Sequence, residues 1–134
     1  MSLPASRQVY TAGTHQVGVT TAGSAASATG TAYFYGARGV LARLSGNWHA
    51  SAPGATSDVT IVETWAGGSR TLYTKSNAVT DFDFVPQVAA ADNTGTAITG
   101  AYGMIILNGG TITVTVSQSD ALTDCLIVSL TTVE

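Results

Sequence analysis

Charge is what this chain of 134 residues has least of: Asp, Glu, Lys and Arg make up 10% of it, against about 25% in an ordinary soluble domain. Its cations are Arg7, Arg38, Arg43, Arg70 and Lys75. Five scattered charges cannot track a phosphate backbone, which excludes general nucleic-acid binding. Cysteine occurs once, at Cys125, so no intrachain disulfide can form and a reducing cytosol is the expected site of synthesis. The longest strongly apolar run, Met104 to Leu107, is far too short for a membrane-spanning helix. No Asn-x-Ser/Thr acceptor is present, so nothing points to N-glycosylation. The opening Met-Ser-Leu-Pro-Ala-Ser-Arg lacks the apolar stretch of a signal peptide. The expectation is a protein made in the cytoplasm and used without classical secretion, with no membrane partner and no cofactor.

What fills the chain instead is hydroxyl and small side chains: 21 Thr and 12 Ser beside 20 Ala and 15 Gly. Hydrophobic content of 45% with a net charge of −3 argues against disorder. At this length roughly two thirds of the unfolded surface can be buried, enough for one core without disulfides or metals. One domain over 8–134 is expected, preceded by a short arm over 1–7 in which Pro4 discourages regular structure.

Helical periodicity is nearly absent, whereas alternation is frequent. Ile112, Val114 and Val116 alternate with Thr111, Thr113 and Thr115, which predicts a strand over Thr111–Ser117. The run Tyr102–Leu107 precedes it across Asn108-Gly109-Gly110, a turn sequence that predicts a hairpin. Met104–Leu107 is apolar at every position, which predicts a strand covered on both faces. A second hairpin is expected from Asp58–Trp65 and Arg70–Thr74 around Ala66-Gly67-Gly68-Ser69. In its first arm Val59, Ile61 and Trp65 share one face, and Glu63 intrudes on that row, at a sheet margin or against an arginine.

Further strands are expected at Gln8–Tyr10, Gln16–Thr20, Ala32–Tyr35, Val40–Leu44, Asp81–Val85 and Asp124–Thr132, the last with Leu126, Val128 and Leu130 inward. Ser24–Gly30 and Val88–Gly100 read as connections. The sum is an all-β chain: an antiparallel, jelly-roll-like β-sandwich of about eight or nine strands, with a small closed barrel as the alternative.

Residues able to do chemistry are few. His15 and His49 are the only imidazoles, and no Gly-x-Ser-x-Gly elbow occurs. His49 and Asp58 with one of many serines compose a triad on paper, but a serine-rich chain produces such sets by chance. Asp81 and Asp83 project from one strand face while Phe82 and Phe84 take the other. Their carboxylates suit acid/base work or a hard cation joined by Asp92-Asn93, and equally a solvated face or an arginine across a subunit boundary. Cys125 lies against Leu126-Ile127-Val128 and reads as a buried, inert thiol. Tyr33 and Tyr35 can cooperate on one surface as a sugar platform.

A sandwich that stands alone ordinarily coats its faces with charge to block clumping. Hydroxyl-coated faces cost less to dehydrate, so a chain this poor in ions is expected to sit against neighbours in a symmetric oligomer or lattice. Candidate interface residues are Arg7, Arg38, Arg43 and Arg70, which can grip carboxylates, with Tyr35, Trp48 and Trp65 as aromatic anchors. For Trp65, which shares a face with Val59 and Ile61, the core is the favoured place.

Gly/Ala/Thr/Ser-rich strands, the glycine-tipped stretches Trp65–Arg70 and Leu107–Thr111, and the run from Tyr33 to Leu44 together resemble small virion proteins of tailed bacteriophages, in particular capsid decoration (cement) proteins. The resemblance covers most of the chain and rests on texture rather than a motif. It implies a non-enzymatic protein on the capsid surface of a virion, often a homotrimer, that bridges subunits of the major capsid protein and stabilises the shell. A phage tail or fibre module, a carbohydrate-binding sandwich and a small hydrolase using His49 or Asp81 and Asp83 are the alternatives.

Overall fold

The computed structural model describes residues 12–134. Eleven strands and no helix lie in that span: β1 (Gly13–Val19), β2 (Ala28–Tyr35), β3 (Arg38–Trp48), β4 (Asp58–Trp65), β5 (Gly68–Lys75), β6 (Phe82–Phe84), β7 (Gln87–Ala91), β8 (Ala97–Met104), β9 (Ile106–Asn108), β10 (Thr111–Ser119) and β11 (Leu126–Val133). The all-β antiparallel sandwich expected from sequence is present, with more strands than the eight or nine anticipated. The expected strand Gln8–Tyr10, the 1–7 arm and Arg7 lie outside the described residues.

Two sheets form the body. One runs β1-β11-β3-β6, with β9 also on β3, and the other β2-β10-β4-β5. Every pairing is antiparallel. Side-chain alternation decides what lies between them. Leu126, Val128 and Leu130 of β11 and Leu41, Leu44 and Trp48 of β3 point inward from one sheet. Ile112, Val114 and Val116 of β10 and Val59 and Ile61 of β4 meet them from the other. Each such aliphatic side chain is worth about 1.5–3 kcal/mol relative to exposure, so a one-residue register slip that turned a strand over is heavily disfavoured.

The outer faces carry the hydroxyls. Across the four-stranded sheet, Thr31, Thr115, Thr60 and Thr74 fall in one row and Tyr35, Thr111, Thr64 and Ser69 in another. These side chains need no ion to stay hydrated, and that is how the body manages with so little charge.

Four expectations are corrected. The segments flanking Asn108-Gly109-Gly110 do not pair with each other: β9 pairs with β3, and β10 with β2 and β4. Gly109, at φ 75°, turns the chain from one sheet to the other, and its N–H is taken by Ala37 O at 2.9 Å. The turn forms as expected, but the segments it joins find their main-chain partners in two different sheets. Next, Met104–Leu107 is not covered on both sides. Ile105 and Leu107 are buried, whereas Met104 and Ile106 are exposed. Finally, Val88–Gly100 is no mere connection: β7 and β8 form a two-stranded sheet of their own. Ala28–Gly30, expected in a loop, also begins β2.

That hairpin leaves the body through a gap. Phe84 of β6 sits opposite Leu44, and Ile106 of β9 sits opposite Val40, end to end along one edge of β3. The chain between them runs out as β7 and back as β8. All of residues 91–100 are exposed.

Candidate functional site

Most of the residues singled out for chemistry are committed to local structure. Arg43 Nε and Nη2 donate to Asp83 Oδ1 and Oδ2 at 2.7 and 2.6 Å, a two-pronged pair on the outer face. The guanidinium holds the Asp83 carboxyl below its ordinary range, and the carboxylate raises Arg43 in turn. The arginine expected across a subunit boundary is thus supplied by the same chain. Asp81 Oδ1 accepts the Trp48 backbone N–H at 2.8 Å. Phe82 and Phe84 pack against the core and ring-to-ring with Tyr73, as their alternation with the two aspartates predicts.

The residues that compose a triad on paper find other partners. His49 Nδ1 accepts from the Ser51 N–H at 3.0 Å, and Asp58 Oδ1 accepts from the Asn77 N–H at 2.9 Å. Asp92 makes the tip of the β7–β8 hairpin: Oδ1 accepts from Thr94 N, Thr94 Oγ1 and Thr96 N at 2.9, 2.7 and 3.0 Å. Those bonds favour the ionised form and lower its pKa. Cys125 is fully buried beside Ser119 Oγ. Among the described residues, no group of three or more His, Cys, Asp or Glu converges to hold a metal.

An open groove of about 410 Å³ lies on the outer face of the five-stranded sheet. Gln16, Ser129, Ser45 and Asp83 form a single cross-strand row along its floor. Its carboxylates are those already engaged by Arg43 and Trp48, so it offers amides and hydroxyls rather than free acid or base.

Of the candidate interface residues, Trp48 is corrected: it belongs to the core, because even-numbered positions from Leu44 to Trp48 face inward. Tyr35 is 71% exposed and stacks on Tyr33, ring centroids 5.6 Å apart. Arg38 is exposed. Arg70 lies over the half-buried Trp65 ring, 5.9 Å from its centroid, a cation–π contact that ties down the β4–β5 hairpin end. Glu63 has Arg70 opposite it in register on β5 but forms no ion pair among the described residues. It is buried, and Oε2 accepts the Asn108 N–H at 2.7 Å.

What sequence reasoning missed is an apolar surface. Val133, Val40 and Ile106 align across β11, β3 and β9 on the outer face. From Ile106 the surface continues along the chain at alternate positions, Met104 and Tyr102, into the hairpin. Tyr102 is 65% and Ile106 64% exposed, with Met104 and Val133 close to half. Exposed side by side, they form a contiguous apolar patch of the kind that is often functional on a soluble protein. Alternation of Tyr102, Met104 and Ile106 was visible in the sequence; that the other side alone is buried was not.

Comparison with family models, with curated proteins and with solved structures finds no match for this chain.

Proposed function

We propose that this chain is a non-enzymatic structural module of a multi-subunit particle, of the kind that decorates and stabilises a virion shell. The observation that carries the reading is the β7–β8 hairpin, with Asp92 as its one charged residue, standing out from the sandwich with apolar side chains at its root. A two-stranded ribbon alone in water is marginal, so one so exposed is a contact element waiting for a surface. The interleaved strand order supports the reading as well. Counting the eight strands of the body without β7–β9, the sheets run 1-8-3-6 and 2-7-4-5, the wiring of a jelly roll, an architecture frequent in capsid and lectin domains.

In this role, binding energy replaces chemistry. A module touching several shell subunits makes each further contact at high effective concentration. Because it binds the assembled state in preference to free subunits, it stabilises that state by linkage. The major capsid protein is the expected partner. The deciding experiment is gradient purification of intact particles from the source, with this chain quantified against the shell subunit. A fixed stoichiometric ratio supports the proposal, and absence from particles overturns it.

A second reading, a carbohydrate-binding module, is favoured by one observation: the stacked, exposed Tyr33 and Tyr35 beside Thr113 and Thr111 on β10. Aromatic faces next to hydroxyl donors suit a pyranose ring. Glycan-array binding abolished by Tyr35→Ala would establish it, and a blank array would remove it.

A further inference from the structure

We infer that the β7–β8 hairpin and the apolar row Ile106–Val40–Val133 form the contact through which this chain binds a second copy of itself. The inference deepens the assembly reading, on which it rests, by naming the partner. Three observations bear on who the occupant is.

The first is charge. Between Val85 and Asn108 the one residue charged at neutral pH is Asp92, and its carboxylate is turned into the tip by Thr94 and Thr96. A self-complementary contact sets like groups near like, so a surface whose one charge is a hydrogen-bonded carboxylate at the hairpin tip can meet its own copy with little repulsion. At the end of the row stand Arg38 and Glu134, both exposed, one of each sign. A symmetric pairing lets the cation of each copy face the anion of the other.

The second is area. Tyr102, Met104, Ile106 and Val133 supply an exposed apolar centre, and Ile98, Val85 and the exposed hairpin backbone extend it toward the ~800 Å² per partner of a stable interface. The composition fits the middle of such an interface: Tyr, Met and Ile in the centre, with Lys and Glu absent from the hairpin. Arg38 and Glu134 fall on the rim.

The third is the main chain. Among the described residues β7 and β8 pair only with each other, so each has an edge with no partner among them. Edges meant to stay free are blocked with Lys, Pro or inward charge, and Gln87–Met104 contains neither Lys nor Pro. Gly100, at φ 77°, and a register shift between Ala89 and Ala91 bend the ribbon, which sets the angle at which it meets a neighbour.

The test uses the full chain in sedimentation velocity between about 1 and 100 µM, the range where moderate self-association is resolved. A species at an integer multiple of 13.6 kDa is expected, with amides of residues 98–106 gaining exchange protection as concentration rises. Ile106→Asp and Tyr102→Asp should each weaken association about 30-fold or more. Thr113→Asp, on the opposite outer face, should leave it unchanged, and all three variants should keep the wild-type circular dichroism because their side chains are not core. A wild-type monomer, or an oligomer indifferent to Ile106→Asp, overturns the inference. So does a wild-type monomer that associates only once residues 1–11 are removed, which would make the N-terminal segment the cover. A monomer still recovered on particles at fixed ratio sinks this contact and leaves the assembly reading standing; an oligomer absent from particles does the reverse.

Discussion

Glu63 of one sheet is joined to Asn108 of the other: its Oε2 accepts the Asn108 backbone N–H at 2.7 Å, and Oε1 lies 3.5 Å from Nδ2 of the same residue. A carboxylate with this little exposure is costly unless its oxygens are used. Here it satisfies the backbone at the point where the chain leaves β9 and crosses to β10, so a residue that breaks the apolar pattern of β4 fixes the corner between layers.

Replacing that acceptor should therefore cost more than its size suggests. Glu63→Leu removes the acceptor of the part-buried Asn108 N–H and should lower unfolding stability by about 0.5–1.5 kcal/mol in urea titrations. Glu63→Gln keeps an oxygen in place and should recover most of the loss. Equal destabilisation by both would mean that the bond itself contributes little.

The two lowered carboxyls predict a defined response to acid. Asp83 is held down by Arg43, and Asp92 by the Thr94 hydroxyl and the Thr94 and Thr96 amides. A depressed folded-state pKa contributes stability that is complete above the ordinary carboxylate pKa and is lost as pH falls through the lowered value. Carboxyl-carbon NMR titration should place both midpoints below the ordinary Asp range. Arg43→Ala should return only Asp83 to it, and Thr94→Ala should raise only Asp92. Since both sites are exposed, added salt should weaken the Arg43 effect on Asp83.

How much of this could be read beforehand depends on what each residue's pattern encodes. Leu126, Val128 and Leu130 announce their inward face by period-two spacing, and Phe82 and Phe84 sort from Asp81 and Asp83 in the same way. Asn108-Gly109-Gly110 announces a turn but not its partners, because a glycine's freedom is local and the choice between a hairpin and a sheet crossing is made by distant strands. Val88–Gly100 carries Ala, Gly and Thr, whose alternation gives no hydrophobic signal; its hairpin is held by main-chain bonds and the Asp92 turn. The scarcity of charge was legible, but the exposure of Tyr102, Met104 and Ile106 required knowing which side of that run the core takes.

Close packing at Gly46 makes a third prediction. Gly46 pairs with Phe82 across β3 and β6, and a Cβ at position 46 would overlap the Phe82 ring. Gly46→Ala should destabilise by about 1–3 kcal/mol through overpacking. In combination with Phe82→Leu, the two changes should cost less than the sum of the single variants, because the smaller side chain vacates the space. Simple additivity in a double-mutant cycle would show that the added methyl finds room elsewhere.

Excision of the hairpin separates its contribution to contact from its contribution to folding. Phe84 and Ile106 lie opposite β3 residues four positions apart, a span of about 13 Å, so a Gly/Ser linker of about five residues can replace 87–104. Of the hairpin's side chains, Val88 is the hydrophobic one packed against the core. The shortened chain should fold with the same strand signature and lose no more than about 2 kcal/mol, the loss expected when one partly buried side chain is removed. Its self-association should vanish. A shortened chain that unfolds would show that β7 and β8 brace the β6–β9 edge of the sandwich, and the ribbon would then have to be understood as structure rather than as a contact element.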